Sequence, residues 1–64
     1  MIASISGKVI QLTKETVVID INGLGIEIFI PKPMLAEIET GDLLHLYTYM
    51  LVREDNISLY GFSS

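Results

Sequence analysis

A two-residue turn between two alternating segments constrains the fold of this 64-residue chain more than any other feature. Apolar side chains recur at every second position from Thr16 to Ile21, and the alternation resumes at residues 26–30. Asn22-Gly23 stands between the two segments, and this dipeptide favours a type I′ turn because both central residues of that turn have positive φ. The sequence therefore predicts a β-hairpin with one apolar face.

A strand is predicted before this hairpin and a short helix after it. The first strand covers Ile2 to Leu12, and Gly7 within it predicts a bulge or a sharp bend. Residues 31–33 end the third strand, because proline cannot donate to a β-ladder. The helix is predicted at residues 34–39, with Pro33 at its first turn and Gly41 near its end.

Two further strands are predicted at residues 43–52 and 57–62, and residues 53–56 form the loop between them. Three strands, a short helix and two strands is the order of an OB-type barrel. An SH3-like barrel is the alternative, although that fold usually lacks the helix. The predicted fold class is mainly all-β, a five-stranded OB-fold barrel with a short helix between strands 3 and 4, in one domain over residues 1–64.

The composition predicts a domain that associates with other protein surfaces. Half of the residues are apolar, whereas a domain of this size buries only roughly 60% of its unfolded surface. The apolar surplus indicates an oligomer or a part of a larger protein. The chain has no cysteine, which excludes disulfides and thiolate zinc sites and fits a reducing compartment. No apolar run is long enough to span a membrane, so we expect a cytoplasmic location without membrane contact.

The charge balance argues against direct phosphate binding. Eight acidic residues against four basic ones give a net charge of −4, and neutralising phosphates requires a surplus of Lys and Arg. A base-stacking platform combines aromatic side chains with a basic groove, and this sequence lacks the groove. Its aromatic residues are therefore more typical of core and interface packing: Phe29, Tyr47, Tyr49, Tyr60 and Phe62.

Catalytic and metal-binding patterns are weak throughout the chain. His45 is the one histidine, and without a second ligand type at metal spacing it is more typical of a barrel surface or interface. Asp20 and Glu27 flank the predicted hairpin and are typical of its solvated side. Gly23 and Gly25 lack the third glycine of a dinucleotide-binding loop. We expect no catalytic residue, no metal and no cofactor.

A short polar segment, Arg53-Glu54-Asp55-Asn56, separates the last two apolar runs. Taken alone, such a segment is typical of a solvated hairpin loop. The surrounding stretch VREDNISLYGF, however, resembles the end of the N-terminal domain of the RuvA family, the Holliday-junction-binding subunits of bacterial branch-migration complexes. MIASISGKVI resembles the opening Met-Ile-Gly-x-x-x-Gly pattern of that family, and VVIDINGLGIEIFIP resembles its second and third strands. Ala3 departs from the family, which usually has glycine there.

The resemblance implies a larger assembly around this domain. In the family, an OB barrel precedes a helix-hairpin-helix domain that grips DNA phosphates and a C-terminal domain that contacts the RuvB motor ATPase. Four subunits form a homotetramer on which an open four-way junction lies. These properties imply a non-enzymatic role in DNA recombination and repair and in the SOS response, with the ATPase in the motor. The two further domains are expected to lie outside this chain.

The resemblance also implies a role for the polar segment. The family's acidic pin corresponds to Glu54 and Asp55, whose charges would repel phosphates at the junction crossover and steer the separated strands. Arg53 would contact a phosphate or pair with a neighbouring carboxylate, and both roles stay open. The alternative function is an oligomerisation module with no direct nucleic-acid role. A stand-alone single-strand binder of the cold-shock type is disfavoured by the acidic balance.

Overall fold

The computed structural model describes residues 2–63 as a closed barrel with one short helix. The elements in chain order are β1 (Ile2–Leu12), β2 (Thr16–Ile21), β3 (Leu24–Phe29), α1 (Lys32–Leu35), β4 (Leu43–Arg53) and β5 (Asn56–Phe62). The barrel closes in the order β1-β2-β3-β5-β4. The five strands and the helix between β3 and β4 confirm the OB-type prediction over the SH3-like alternative. Within residues 2–63, no helix is long and apolar enough to cross a membrane.

The β2–β3 hairpin has the predicted turn. Asn22 has φ of 53° and Gly23 has φ of 95°, which are the positive values that a type I′ turn requires. The Gly23 N–H also donates to Asp20 Oδ1 at 2.9 Å, which fixes the start of the turn. The ladder is regular over the whole length of both strands, so the predicted alternation is confirmed.

The core is formed by apolar side chains of β1, β2, β3 and β4, by the residue that follows β3, and by the segment after α1. Each buried apolar residue on β2 and β3 lies at an inward position of the predicted pattern, because successive side chains of a strand point to opposite faces. The buried apolar residues are Val9, Val17, Ile19, Ile28, Ile30, Ile38 and Leu46.

The bulge in β1 lies at Ile10 and not at Gly7. The register of β1 with β2 shifts between Val9 and Gln11, whereas Gly7 pairs regularly with Leu44 of β4. A glycine is needed at position 7 for a different reason, which is the close approach of β1 to the backbone of β2. The sequence identified the special position but not its geometry.

The helix α1 is shorter and begins earlier than the predicted residues 34–39. It covers Lys32–Leu35 and has proline in its first turn, as predicted. The N–H groups of Glu37 and Ile38 already bond to the carbonyl three residues earlier, so the α-helical winding ends there. Ile38 is buried in the core, and Gly41, with φ of 96°, donates its N–H to β1. Contacts with the barrel therefore end the helix.

The barrel closes at a short parallel seam between β3 and β5. Phe29 pairs with Tyr60 there, and the two ring centroids lie 5.4 Å apart at an interplanar angle of 31°. An open groove of about 340 Å³ lies beside this seam. The groove is lined by Glu15, Phe29, Ile30, Pro31, Lys32, Tyr60 and Phe62.

Candidate nucleic-acid interface

The hairpin of β4 and β5 ends in a two-residue loop, Glu54-Asp55. Arg53 and Asn56 pair directly across the ladder, so they are strand residues. This corrects the prediction that residues 53–56 all belong to the loop. We call Glu54 and Asp55 the acidic tip, and we call residues 50–59 the distal arm.

The acidic tip uses a turn that needs no glycine. Within residues 2–63, positive φ occurs at Asn22, Gly23 and Gly41, so neither Glu54 nor Asp55 has it. A type I′ or II′ turn is thereby excluded, because both types place positive φ at the first central residue. Turns with negative φ accept most residue types, which explains how two neighbouring carboxylates can occupy the tip.

Both carboxylates of the acidic tip face solvent. Glu54 and Asp55 are exposed, as are their neighbours Arg53 and Asn56. The side-chain hydrogen bond at this end of the arm runs from Asn56 Nδ2 to Ser58 Oγ at 3.2 Å and involves neither carboxylate. The tip therefore presents negative charge outward, where an approaching phosphate would meet it.

The distal arm has one polar and one apolar face near its tip. Directly opposite residues of an antiparallel ladder share a face, so Arg53 lies beside Asn56 and Val52 lies beside Ile57. Val52 lies on the same face of β4 as Leu46, which points inward and is buried. Val52 and Ile57 are nevertheless 63% and 65% exposed, because the arm extends beyond the part of the barrel that would cover them.

His45 lies on the barrel surface, as the sequence predicts. Its Nδ1 atom is 2.6 Å from Ser6 Oγ of the neighbouring strand, and its ring meets Tyr47 edge-on with centroids 5.2 Å apart. In the part of the chain that the structure describes, no three His, Cys, Asp or Glu residues are grouped to hold a metal ion. The histidine therefore lies on the surface of the β1–β4 sheet, where it hydrogen-bonds to its cross-strand neighbour.

The two carboxylates of the β2–β3 hairpin support its backbone and its strands. Asp20 accepts the turn hydrogen bond from Gly23, and Glu27 Oε2 accepts from the Thr16 hydroxyl at 2.9 Å. Glu27 is exposed and Asp20 is half-buried. Their hydrogen bonds fit the predicted structural role on the solvated side of the hairpin.

The prediction that aromatic residues fill the core is wrong. Over residues 2–63, no aromatic side chain belongs to the buried core, and Tyr47, Tyr49 and Phe62 are exposed. The reason is the phase of the last two strands. Thr48 and Gly61 take the inward positions opposite each other, so the aromatic residues on either side of them point outward. This alternation was the signal that sequence reasoning missed, and a role in an interface stays a prediction.

Comparison with known proteins identifies the family. The family model described as "RuvA N terminal domain" matches residues 1–61. This chain belongs to that family. Curated RuvA relatives also match it along its length, each named "Holliday junction branch migration complex subunit RuvA".

The RuvA relatives are longer than this chain. The protein of Herpetosiphon aurantiacus is 48% identical over 65 residues, which is 100% of this chain and 33% of the relative. The proteins of a Roseiflexus species and of Bordetella pertussis are each 43% identical over 65 residues, covering 100% of this chain and 33% and 34% of the relative, respectively. The chain therefore spans about a third of the length of the curated relatives it matches. The roles of Glu54, Asp55 and Arg53 stay predictions.

Proposed function

We propose that this barrel is a non-catalytic DNA-binding and assembly domain of a Holliday-junction branch-migration complex. The observation that carries the proposal is the solvent-facing acidic tip, Glu54-Asp55, on a barrel of the RuvA N-terminal family. The relatives' name, a branch migration complex subunit, supports this setting. In this role the barrel contributes subunit contacts and shapes the DNA at the crossover.

The acidic tip acts by repulsion. In a four-fold assembly, the carboxylates of four subunits meet near the crossover, where the phosphates of the exchanging strands converge. Negative charges at the tips raise the free energy of phosphates that approach them and so direct each strand into a neighbouring groove. This role needs exposed carboxylates on a defined arm, which is the arrangement of Glu54 and Asp55.

Arg53 has two roles that its position supports. It lies on the polar face of the distal arm, paired in register with Asn56 and next to Glu54. From there it either contacts a phosphate at the edge of the crossover or pairs with a carboxylate of a neighbouring tip. Either contact would moderate the negative field of the acidic tip without cancelling it.

Affinity for DNA comes mainly from elsewhere in the protein. With a net charge of −4, the barrel is a poor source of the counterion release that drives phosphate binding. We propose that a helix-hairpin-helix domain supplies this affinity and that a C-terminal domain contacts the RuvB motor ATPase, both outside this chain. The protein then acts as a homotetramer in the cytoplasm, and the ATP-driven chemistry resides in the motor.

The alternative function is an oligomerisation module with no direct contact to nucleic acid. The exposed apolar side chains of the barrel favour it, because exposed apolar surface marks interaction sites. Large apolar residues that face solvent include Ile10, Leu43, Tyr47, Tyr49 and Phe62. The two functions differ in the role of the acidic tip, because the charge of Glu54 and Asp55 would have no function in an oligomerisation module.

The deciding experiment neutralises the acidic tip in the complete protein. Glu54→Gln combined with Asp55→Asn should leave junction binding equal or tighter, because repulsion of the crossover phosphates is lost. The gain in affinity should shrink as salt screens the field, and the rate or junction preference of motor-driven branch migration should change. Glu37→Gln with Glu39→Gln is a charge-matched control on the exposed segment after α1. Unchanged binding and migration for the tip variant would favour the oligomerisation module.

A further inference from the structure

Val52 and Ile57 form an exposed apolar pair directly behind the acidic tip. The two residues are opposite each other in the ladder, one pair behind Arg53 and Asn56. They are 63% and 65% exposed, whereas Met50, on the same face closer to the barrel, is 36% exposed. Apolar exposure therefore rises toward the end of the arm, where a purely solvated loop would place polar side chains.

The size of this pair does not fit a subunit interface. A stable protein interface buries about 800 Å² on each partner and involves roughly 20–30 residues a side. The distal arm is two strands wide and ends in a two-residue loop, so its apolar face presents few side chains. It matches a small and flat apolar partner better than another folded domain.

The charge around the pair excludes phosphate as that partner. The Glu54 and Asp55 carboxylates lie at the end of the arm beside the pair, and they repel phosphates. Neither the Val52 nor the Ile57 side chain can donate a hydrogen bond to an anion. Within nucleic acid, the uncharged and apolar surface is the flat face of a base pair. An anionic lipid surface is disfavoured by the same carboxylates.

We propose that Val52 and Ile57 pack against the exposed faces of the base pairs that flank the crossover of four-way junction DNA. The inference rests on the proposed function, which brings the acidic tip to the crossover. Base pairs at an opened crossover have lost a stacking neighbour, and apolar side chains commonly cover or wedge such unstacked steps. The pair thus gives the distal arm an attractive contact beside its repulsive tip.

The dimensions of the arm suit this contact. An antiparallel strand rises about 3.4 Å per residue, so Val52 lies about 7 Å behind Glu54 along the arm. Successive bases along a DNA strand are about 3.4 Å apart. A tip that enters the crossover therefore brings the apolar pair to the first base pairs on either side. The carboxylates keep the phosphate backbones apart while Val52 and Ile57 cover the bases that this separation exposes.

The test replaces the pair without altering strand propensity. Val52→Thr with Ile57→Thr keeps β-branching at both positions and removes apolar surface. Leu24→Thr is the matched control, because Leu24 is also a strand residue next to a two-residue turn and is 62% exposed. Each complete protein is titrated with a synthetic four-way junction that carries 2-aminopurine in a base pair beside the crossover. A second junction carries the same analogue in the middle of an arm.

The double threonine variant should bind the junction about tenfold more weakly than the wild type. The dependence of affinity on salt should stay the same, because no phosphate contact is removed. The fluorescence change of the crossover analogue should be lost, while the mid-arm analogue should give the same signal with the variant as with the wild type. The Leu24→Thr control should behave as wild type in all three measurements.

Three outcomes would overturn the inference. Unchanged affinity and fluorescence for the threonine variant, with an effect of the neutralised tip, would remove the base contact and leave the proposed function intact. No effect of either variant would remove both. Loss of the tetramer by light scattering, for the threonine variant alone, would assign Val52 and Ile57 to contacts between copies of the protein instead.

Discussion

Gly7 lies so close to Asp20 that no side chain fits between them. A Cβ atom on Gly7 would stand 2.5 Å from the Asp20 carbonyl oxygen and 2.6 Å from Ile19 Cγ2. The first contact is with backbone, which cannot rotate away as the end of a flexible side chain can. The pairing of β1 with β2 therefore depends on glycine at this position.

Replacing Gly7 with alanine should destabilise the barrel. We expect Gly7→Ala to lower the free energy of unfolding by about 1–3 kcal/mol, the usual range for an overpacked interior. Urea unfolding followed by circular dichroism measures this change. Gly25→Ala is the control, because its nearest contact would be Val18 Cγ1 at 3.3 Å, a side-chain atom that can shift. Equal stability of the two variants would mean that β1 moves away from β2 at little cost.

The β2–β3 turn should distinguish between the two enantiomers of alanine. Gly23 has φ of +95° and its Cβ position meets nothing within 4 Å, so backbone conformation alone decides the effect. L-alanine should destabilise the chain by about 1–2 kcal/mol, and D-alanine should stabilise it by about 0.4–1 kcal/mol. Chemical synthesis of the 64-residue chain and thermal unfolding provide the comparison. Similar stabilities for both would show that the turn changes type.

Local patterns in the sequence were sufficient for the hairpin but not for the helix. The bounds of β2 follow from alternation and the Asn22-Gly23 turn, both of which act between near neighbours. The helix was predicted at residues 34–39 from local spacing, whereas Ile38 is buried in the core and Gly41 bonds to β1. These are contacts with distant strands, and no pattern inside the segment reports them.

The resemblance to a family assigns residues to the candidate site, and their roles stay predictions, but no sequence pattern gives the shape of the site. The charged residues of the acidic tip could be assigned from the resemblance to a family. The inclusion of Arg53 and Asn56 in the ladder, and the exposure of Val52 and Ile57, depend on how far the arm extends beyond the barrel. That length depends on where β4 stops pairing with β1, which in the described part of the chain is at Tyr49, while β4 and β5 still pair up to Arg53 and Asn56. Pairing between strands that are distant in the sequence is a property of the whole barrel.

Neutralising the acidic tip should have little effect on folding. Glu54 and Asp55 are exposed, so Glu54→Gln with Asp55→Asn should change the free energy of unfolding by less than about 0.5 kcal/mol. Asp20→Ala provides the contrast, because the Asp20 carboxylate accepts the Gly23 N–H at 2.9 Å and its loss should cost about 0.5–1.5 kcal/mol. Urea unfolding of both variants measures the difference. A strongly destabilised tip variant would show that the carboxylates hold the hairpin together.

The 64-residue chain by itself should bind four-way junction DNA weakly. Its net charge is −4, and of its four basic side chains Arg53 stands beside two carboxylates, so phosphate binding would release few counterions. We expect a dissociation constant above about 1 μM at physiological salt, in the range of non-specific binding. Titration of a labelled junction at several salt concentrations measures this affinity, with the complete protein as the reference. Because added salt screens the repulsion between the DNA and the net negative charge of the chain, the residual binding of the isolated chain should not fall steeply as the salt concentration rises. Submicromolar binding that falls steeply with added salt would instead place the phosphate-gripping surface on the barrel itself.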